Sequence, residues 1–414
     1  VRDHFDVAVI GAGAAGMMAA MTAGRRGRRV VVIDHAKAPG EKIRISGGGR
    51  CNFTNLRTAP SAFLSANPHF AKSALARFTP QDFLAMVEAR GISWHEKTLG
   101  QLFCDGSARE IVALLTDGMA EAGVDLRLGQ TIEKVERRAD GAFGVQLAAG
   151  LVTAQRLIVA SGGKSIPKMG ATGFAYRLAE SFGLPLVETR PGLVPLTLDP
   201  QQLADYADLT GIALPVSVRA VGADAGQGGG RKADKRPAFR EAMLFTHRGL
   251  SGPAILQISS YWREGETIAI DLIPEMDLAG HLKTLRRQAG RQQLRGVLAD
   301  FMPKRLVQLL LPELAKVAGK VPETPLADYS DAAIGALVGA LKDFTLKPAG
   351  SEGYRTAEVT LGGVDTKALH SRSMEAQAVP GLHFIGECVD VTGWLGGYNF
   401  QWAWASGFSA GQSA

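Results

Sequence analysis

Cysteine is scarce, with three in 414 residues (Cys51, Cys104 and Cys388), and none stands in a C-x-x-C pair. That excludes a disulfide framework and a zinc ribbon, so a reducing cytoplasm is the expected compartment and no metal site is expected. An unbroken apolar span is lacking too. The uncharged run Val7 to Gly24 has about the length of a membrane helix, ~18 residues, yet glycines interrupt it at 11, 13, 16 and 24. Asp3 and Asp6 precede it where a secretory signal carries positive charge, so neither a membrane association nor a signal peptide is expected. No internal repeat or low-complexity tract is evident. Helix-turn-helix, RNA-binding and zinc-finger signatures are missing as well, and no nucleic-acid partner is expected. The cluster Arg25-Arg26-Gly27-Arg28-Arg29 falls where a helix should end, and positive charge there complements the helix dipole.

What is present describes a core-forming protein. Apolar residues make up 46% and charged residues 21%, ordinary globular values. The length predicts two to three domains at ~150 residues each. Fifty glycines, about 12% against a usual ~7%, point to loops that need positive φ or close approach to a ligand. A net charge of +6 suits anionic ligands without choosing among them.

Phe5 to Ile10 predicts a buried strand, Gly11-Ala12-Gly13-Ala14-Ala15-Gly16 a glycine turn, and an Ala/Met-rich helix follows to about Arg26. Arg29 to Asp34 is a second strand ending in a carboxylate, at the spacing of a dinucleotide-binding fingerprint. In that fingerprint Gly11 makes the tight turn, Gly13 admits pyrophosphate and Gly16 lets helix and strand pack closely. The helix amides of Ala14 and Ala15 face the anion, and Asp34 takes the ribose hydroxyls. A second such unit is absent: Val221-Gly222-Ala223-Asp224-Ala225-Gly226 has neither the spacing nor a following helix, so a two-domain disulfide-reductase architecture is not expected.

After the second strand, Gly40 to Asn55 holds three consecutive glycines among Lys42, Ser46, Arg50 and Asn52. These supply NH groups, including that of Gly48, a hydroxyl and two cations, a set suited to pyrophosphate and the polar edge of a ring. The block Ser46-Gly47-Gly48-Gly49-Arg50-Cys51-Asn52-Phe53-Thr54-Asn55 resembles the hallmark of the BaiN/RdsA-type FAD-dependent oxidoreductases, a bacterial flavoprotein family with aminoacetone oxidase-like members. Three further blocks are similar to that family: Leu157 to Gly173, Leu244 to Pro253, and Gly386 to Asn399. Ser161 stands where Thr is common and Cys388 where the family has an aliphatic residue. The resemblance implies noncovalent FAD, with Ser161 and Gly162 at a strand end touching it and Ile132 also among its contacts. Glu387 or Asp390 would hold the ribityl hydroxyls beside Gly386. On its own residues, the turn Gly396-Gly397-Tyr398-Asn399 opens a final helix to about Ala410, whose free NH groups can stabilise negative charge on a reduced ring.

The fold expected is α/β: a discontinuous Rossmann-like FAD-binding domain of the glutathione-reductase kind, residues 1–188 and 346–414, with an inserted β-domain at 189–275 and a helical subdomain at 276–345. Pro215 to Val221 and Thr267 to Ile273 read as strands. Leu282, Leu285, Leu294 and Leu298, then Leu306, Leu309, Leu310 and Leu314, read as helices. Gln227 to Arg240 reads as a solvated hairpin loop, and Lys283, Arg286, Arg287, Arg291 and Arg295 as a basic, solvated helix face.

The chemistry expected is hydride transfer through FAD to or from a small organic substrate. The resemblance implies reduction of an enone-like bond, with NAD(P)H as a diffusible co-substrate, or oxidation of an amine by O2. A noncatalytic flavin-binding redox sensor is the reading from another class. No catalytic acid or base is assigned: His247 reads as a structural hydrogen-bonding residue before a proton donor, and Cys51 as a small buried hydrophobe. The oligomeric state is left open.

Overall fold

The computed structural model describes residues 3–222 and 236–414. The stretch 227–240 expected as a hairpin loop therefore lies, up to residue 235, outside the described residues. Two compact units are formed, one of the residues up to 191 and from 357 onward, the other of residues 192 to 356.

The first unit is built on β1 (His4–Ile10), α1 (Ala14–Arg25) and β2 (Val30–Ile33). β1 pairs in parallel with β2 on one side and with Gly150–Val159 on the other. Asp125–Arg127 extends the sheet beyond β2, and Leu382–Phe384 pairs in parallel with Gly150–Val159. Phe143–Leu147 and Ile132–Arg137 complete it as antiparallel strands. β2 is buried at every position, which is why it reads as an unbroken apolar run rather than an alternation.

α1 is buried almost all round because a second helix, Tyr398–Ser413, lies against it. Small residues permit the approach. A Cβ on Gly407 would stand 2.5 Å from the Ala15 carbonyl oxygen, and one on Gly411 2.6 Å from that of Ala19. Arg26 then donates from Nη1 to the Gly411 and Ala414 carbonyls, at 2.9 and 2.8 Å. The basic cluster at 25–29 thus serves the final helix as well as the end of α1.

Among the described residues the second unit carries a seven-stranded antiparallel sheet and six α-helices. Ala213–Val221 lies between Phe239–Thr246 and Thr267–Asp271, and its burial alternates along the strand so that one face meets the core. Helices Leu278–Gln288, Leu294–Leu298, Lys304–Val317 and Asp331–Lys342 follow. Leu282, Leu294, Leu298, Leu306 and Leu314 are buried as their spacing predicts, whereas Leu309 is exposed. Among the described residues no helix is long and apolar enough to cross a membrane.

Candidate functional site

The glycine turn after β1 shows why each glycine is there. Gly11 has φ +111°, and a Cβ on it would come within 2.5 Å of the Ala160 carbonyl oxygen. A Cβ on Gly16 would collide with the Gly11 carbonyl. Gly13 differs: its φ of −84° suits any residue, and nothing lies within 4 Å of where its Cβ would be. Open space stands there, at the start of α1, whose first turn has neither a side-chain cap nor an acidic residue. The helix end formed by Ala14, Ala15 and Gly16 is left positive. Across the turn, Ser161 presents a buried hydroxyl with no hydrogen-bond partner, and Gly162, at φ +75°, faces open space. An unfilled glycine notch, an uncapped helix and an orphaned hydroxyl fit a pyrophosphate.

Asp34 at the end of β2 is committed to this turn. Its Oδ2 accepts from the Ala12 amide at 2.6 Å and its Oδ1 from the Ala36 amide at 2.8 Å, with His35 Nδ1 3.3 Å away. Each oxygen keeps a further lone pair that a ribose hydroxyl could use. Ile132 comes close because Gln130 donates its amide to the Asp34 carbonyl at 2.9 Å. It is half-buried at the start of an edge strand.

Lys42 lies in a short helix, α2 (Glu41–Ile45). Although expected at the pyrophosphate, it pairs with Glu387: Nζ is 2.6 Å from Glu387 Oε2 and 2.6 Å from Ser165 Oγ. Glu387 Oε1 also accepts from the Ser165 hydroxyl and, at 3.0 Å, from the Thr360 amide. Thr360 Oγ1 in turn accepts from the amides of Lys164 and Ser165. Lys42 and Glu387 therefore hold each other. Ser165 lies in the Leu157 to Gly173 block and Thr360 in strand Val359–Val364, and no spacing marks them as partners.

The triple-glycine loop follows α2. Gly47, Gly48 and Gly49 all take positive φ, turning successive backbone amides, and the Cβ direction of Gly48 is open. Ser46 turns its hydroxyl inward to the Ile43 carbonyl at 2.7 Å, and Arg50 is exposed. Cys51 is fully buried at φ +52°. Burial pushes its thiol up to about 12, as it does those of Cys104 and Cys388, so all three are held as protonated thiols.

Beyond this loop, β3 (Asn52–Asn55) receives the start of the final helix. Gly397 caps that helix at φ +95°, and a Cβ there would strike the Thr54 carbonyl and stand 2.8 Å from Asn52 Oδ1. Asn55 Nδ2 donates to the Gly396 carbonyl at 2.8 Å, and Thr54 Oγ1 donates to Gln401 Oε1 at 2.6 Å. Asn52 Nδ2 reaches Gln101 Oε1 at 3.1 Å. Two motifs more than 300 residues apart thus form one surface, with Gln101 and Gln401 as members that no motif marked. Asn399 faces the other way, its side chain bonded to Gly393 and Trp394. Tyr398 is buried with its ring edge to Phe63 and Trp394.

Gly386 closes the circuit. At φ +69° a Cβ on it would stand 2.9 Å from Ala15 Cβ, which sets it at the pyrophosphate end. Asp390 accepts through Oδ2 from the Ala66 amide at 2.7 Å and from Ser65 Oγ at 3.3 Å. Burial, with a smaller push from Asp365, raises its carboxyl to about 6 against the pull of those two hydrogen bonds. His247, in the second unit, is exposed in the turn between strands Phe239–Thr246 and Gly249–Ser251, and among the described residues its side chain makes no hydrogen bond.

Comparison with known proteins gives a consistent result. The family profile described as HI0933-like protein Rossmann domain matches residues 5–413. Ribosomal RNA dihydrouridine synthase of Escherichia coli (strain K12) is 50% identical over 410 residues, which cover 99% of this chain and 98% of that protein. The protein of the same name from Haemophilus influenzae is 44% identical over 408 residues, 98% and 97% of the two chains. The 3-dehydro-bile acid delta(4,6)-reductase of Clostridium scindens is 29% identical over 426 residues, 99% and 98%.

Proposed function

Because the chain belongs to the HI0933-like family of flavin-dependent oxidoreductases, we propose that it binds FAD noncovalently and reduces a uridine of ribosomal RNA to dihydrouridine. One observation carries the substrate: similarity at 50% identity along nearly the whole of both chains to a ribosomal RNA dihydrouridine synthase. A uracil C5=C6 bond is conjugated to the C4 carbonyl, so it belongs to the enone-like class that the motifs imply. Nucleic acid was not expected for want of a known binding signature. A charge-driven RNA surface needs none, because phosphate contacts carry most of the affinity.

The residues present fit the cofactor. The Gly11–Gly16 turn, the start of α1 and the orphaned Ser161 hydroxyl would hold the pyrophosphate, and Asp34 the adenosine ribose. The amides of Gly47 to Gly49 and the positive N-terminal end of the final helix would face the ring end, where backbone donors stabilise developing negative charge. When bound, the flavin would supply a hydride to the electron-poor C6 of the pyrimidine while C5 takes a proton drawn from solvent, NAD(P)H being the proposed source of reducing equivalents. The Lys42–Glu387 pair and the Asn55–Gly396 bond act by fixing the loops that carry these amides.

The test is anaerobic. Protein reduced to the colourless flavin state is mixed separately with protein-free ribosomal RNA, a conjugated enone and a buffer blank, and return of the yellow colour is timed. The oxidised protein is mixed with primary amines in parallel. Reoxidation by RNA well ahead of the blank is expected. Bleaching by an amine, with RNA inert, would replace this reading with the oxidase one.

A further inference from the structure

Charge is concentrated in one part of this protein. Residues 278–305 hold seven of its 46 Lys and Arg and one of its 40 Asp and Glu, so the rest of the chain carries 39 of each sign. The segment is a local basic cluster of +6 in a unit that is otherwise acidic, since the whole of residues 192 to 356 holds 20 basic and 18 acidic residues. It lies within the second unit and comprises helices Leu278–Gln288 and Leu294–Leu298 and the start of Lys304–Val317.

Leu278, Leu282, Leu294, Val297, Leu298 and Leu306 are buried, which leaves the cations outside. Asp331 neutralises two, lying 2.6 Å from Arg286 and 3.2 Å from Lys283. Arg287, Arg291, Arg295, Lys304 and Arg305 are exposed and have no carboxylate within ion-pair distance among the described residues. Phe301, 37% exposed, sits between Arg295 and Lys304 in the chain, with its ring against the edge of His281 at 5.3 Å.

Helix stability accounts for Arg286, Arg287 and Arg295, which lie in the last turns of their helices where positive charge complements the dipole, and Asp331 offsets the repulsion between Lys283 and Arg287. It does not account for the next helix. Lys304 and Arg305 open a 14-residue helix that has no acidic residue in its first turn, and cations at that end oppose the helix dipole. A polyanion laid over the segment would relieve that cost, and an exposed aromatic ring among cations is the usual platform for an unpaired base.

Resting on the reading of the substrate as ribosomal RNA, we propose that segment 278–305 is the surface that grips the RNA phosphate backbone, with Phe301 stacking on a base. Flavin binding and RNA binding then belong to different units of the chain.

The experiment compares three proteins, each loaded with FAD: wild type, a fourfold variant (Arg291→Gln, Arg295→Gln, Lys304→Gln, Arg305→Gln), and a control with equal charge removed at exposed Arg28, Lys72, Arg109 and Lys367. Binding to a ribosomal RNA transcript is followed by fluorescence anisotropy across a salt series, and dihydrouridine formation is assayed on the same preparations. The segment variant should lose affinity by about tenfold or more at low salt and its salt slope should fall by about three, at ~0.7–0.9 per phosphate contact. Its flavin content and its melting temperature should match the control. If wild type binds and modifies RNA and the segment variant does so equally well, this inference fails and the substrate stands. If wild type neither binds nor modifies RNA, the substrate reading fails and the inference with it.

Discussion

At Asp34 one carboxylate braces the glycine turn from both of its oxygens, through Ala12 and Ala36. Asp34→Ala should therefore lower the stability of the FAD-free protein, by about 1.5–3 kcal/mol if one charge-assisted bond is lost net, as well as weaken FAD binding. Urea unfolding of the FAD-free variant at an unchanged midpoint would show that the brace contributes nothing. Gly13→Ala should behave oppositely. Its Cβ meets no protein atom, so FAD-free stability should move by less than about 1 kcal/mol. FAD affinity should drop at least about tenfold, equal to about 1.4 kcal/mol, because the added carbon occupies the pyrophosphate notch. Equal affinity in a titration would mean that the notch is not the anion site. Asp390 sets a pH dependence. Its folded pKa of about 6 lies above its unfolded value, so the folded state binds the proton more tightly. Its contribution to stability is largest below the unfolded pKa, falls as pH rises towards 6, and is flat above. Asp390→Asn should remove that decline; a variant whose stability follows wild type from pH 4 to 6 would contradict it.

At the scale of elements, the β1, α1 and β2 unit was legible because its signal is local: a buried run, a glycine turn and an acid at fixed spacing. The packing of α1 against the final helix was legible only as an excess of small residues, since Gly407 and Gly411 meet Ala15 and Ala19 from almost the whole chain away. Here Gly407→Val should destabilise by about 1–3 kcal/mol through overpacking. Gly335→Ala, in helix Asp331–Lys342 with open space around its Cβ, should instead stabilise by about 0.5–1 kcal/mol. Thermal melts that rank the two the other way would refute the packing account. Site residues divide in the same manner. Gly11, Gly47, Gly48, Gly49, Gly396 and Gly397 sit at positive φ and Gly16 where a Cβ would strike Gly11, whereas Gly13 is free of both demands and borders open space. The pairing of Lys42 with Glu387 and the turning of Asn399 towards Gly393 were not announced. Side-chain partners across 345 residues leave no periodicity to read, and a residue drawn to a phosphate in one dimension can be held by a carboxylate in three.

At the scale of the molecule, the chain divides its properties between two units: the first has the notch, the orphaned hydroxyl and the glycine-lined amides, the second the exposed basic cluster of residues 278–305. An enzyme acting on one base of a large polyanion needs both. It needs a small precise site for hydride transfer, and a broad surface for affinity that does not discriminate among bases. The central claim is reduction of uridine within ribosomal RNA, and the most direct test is the product itself. Protein-free ribosomal RNA transcribed without modification is incubated with the FAD-loaded protein and NADH or NADPH in the absence of oxygen. The RNA is then digested to nucleosides and examined by mass spectrometry. The account predicts a nucleoside two hydrogens heavier than uridine, absent when the reductant or the FAD is withheld. RNA that yields only unmodified uridine after full reduction of the flavin would contradict it.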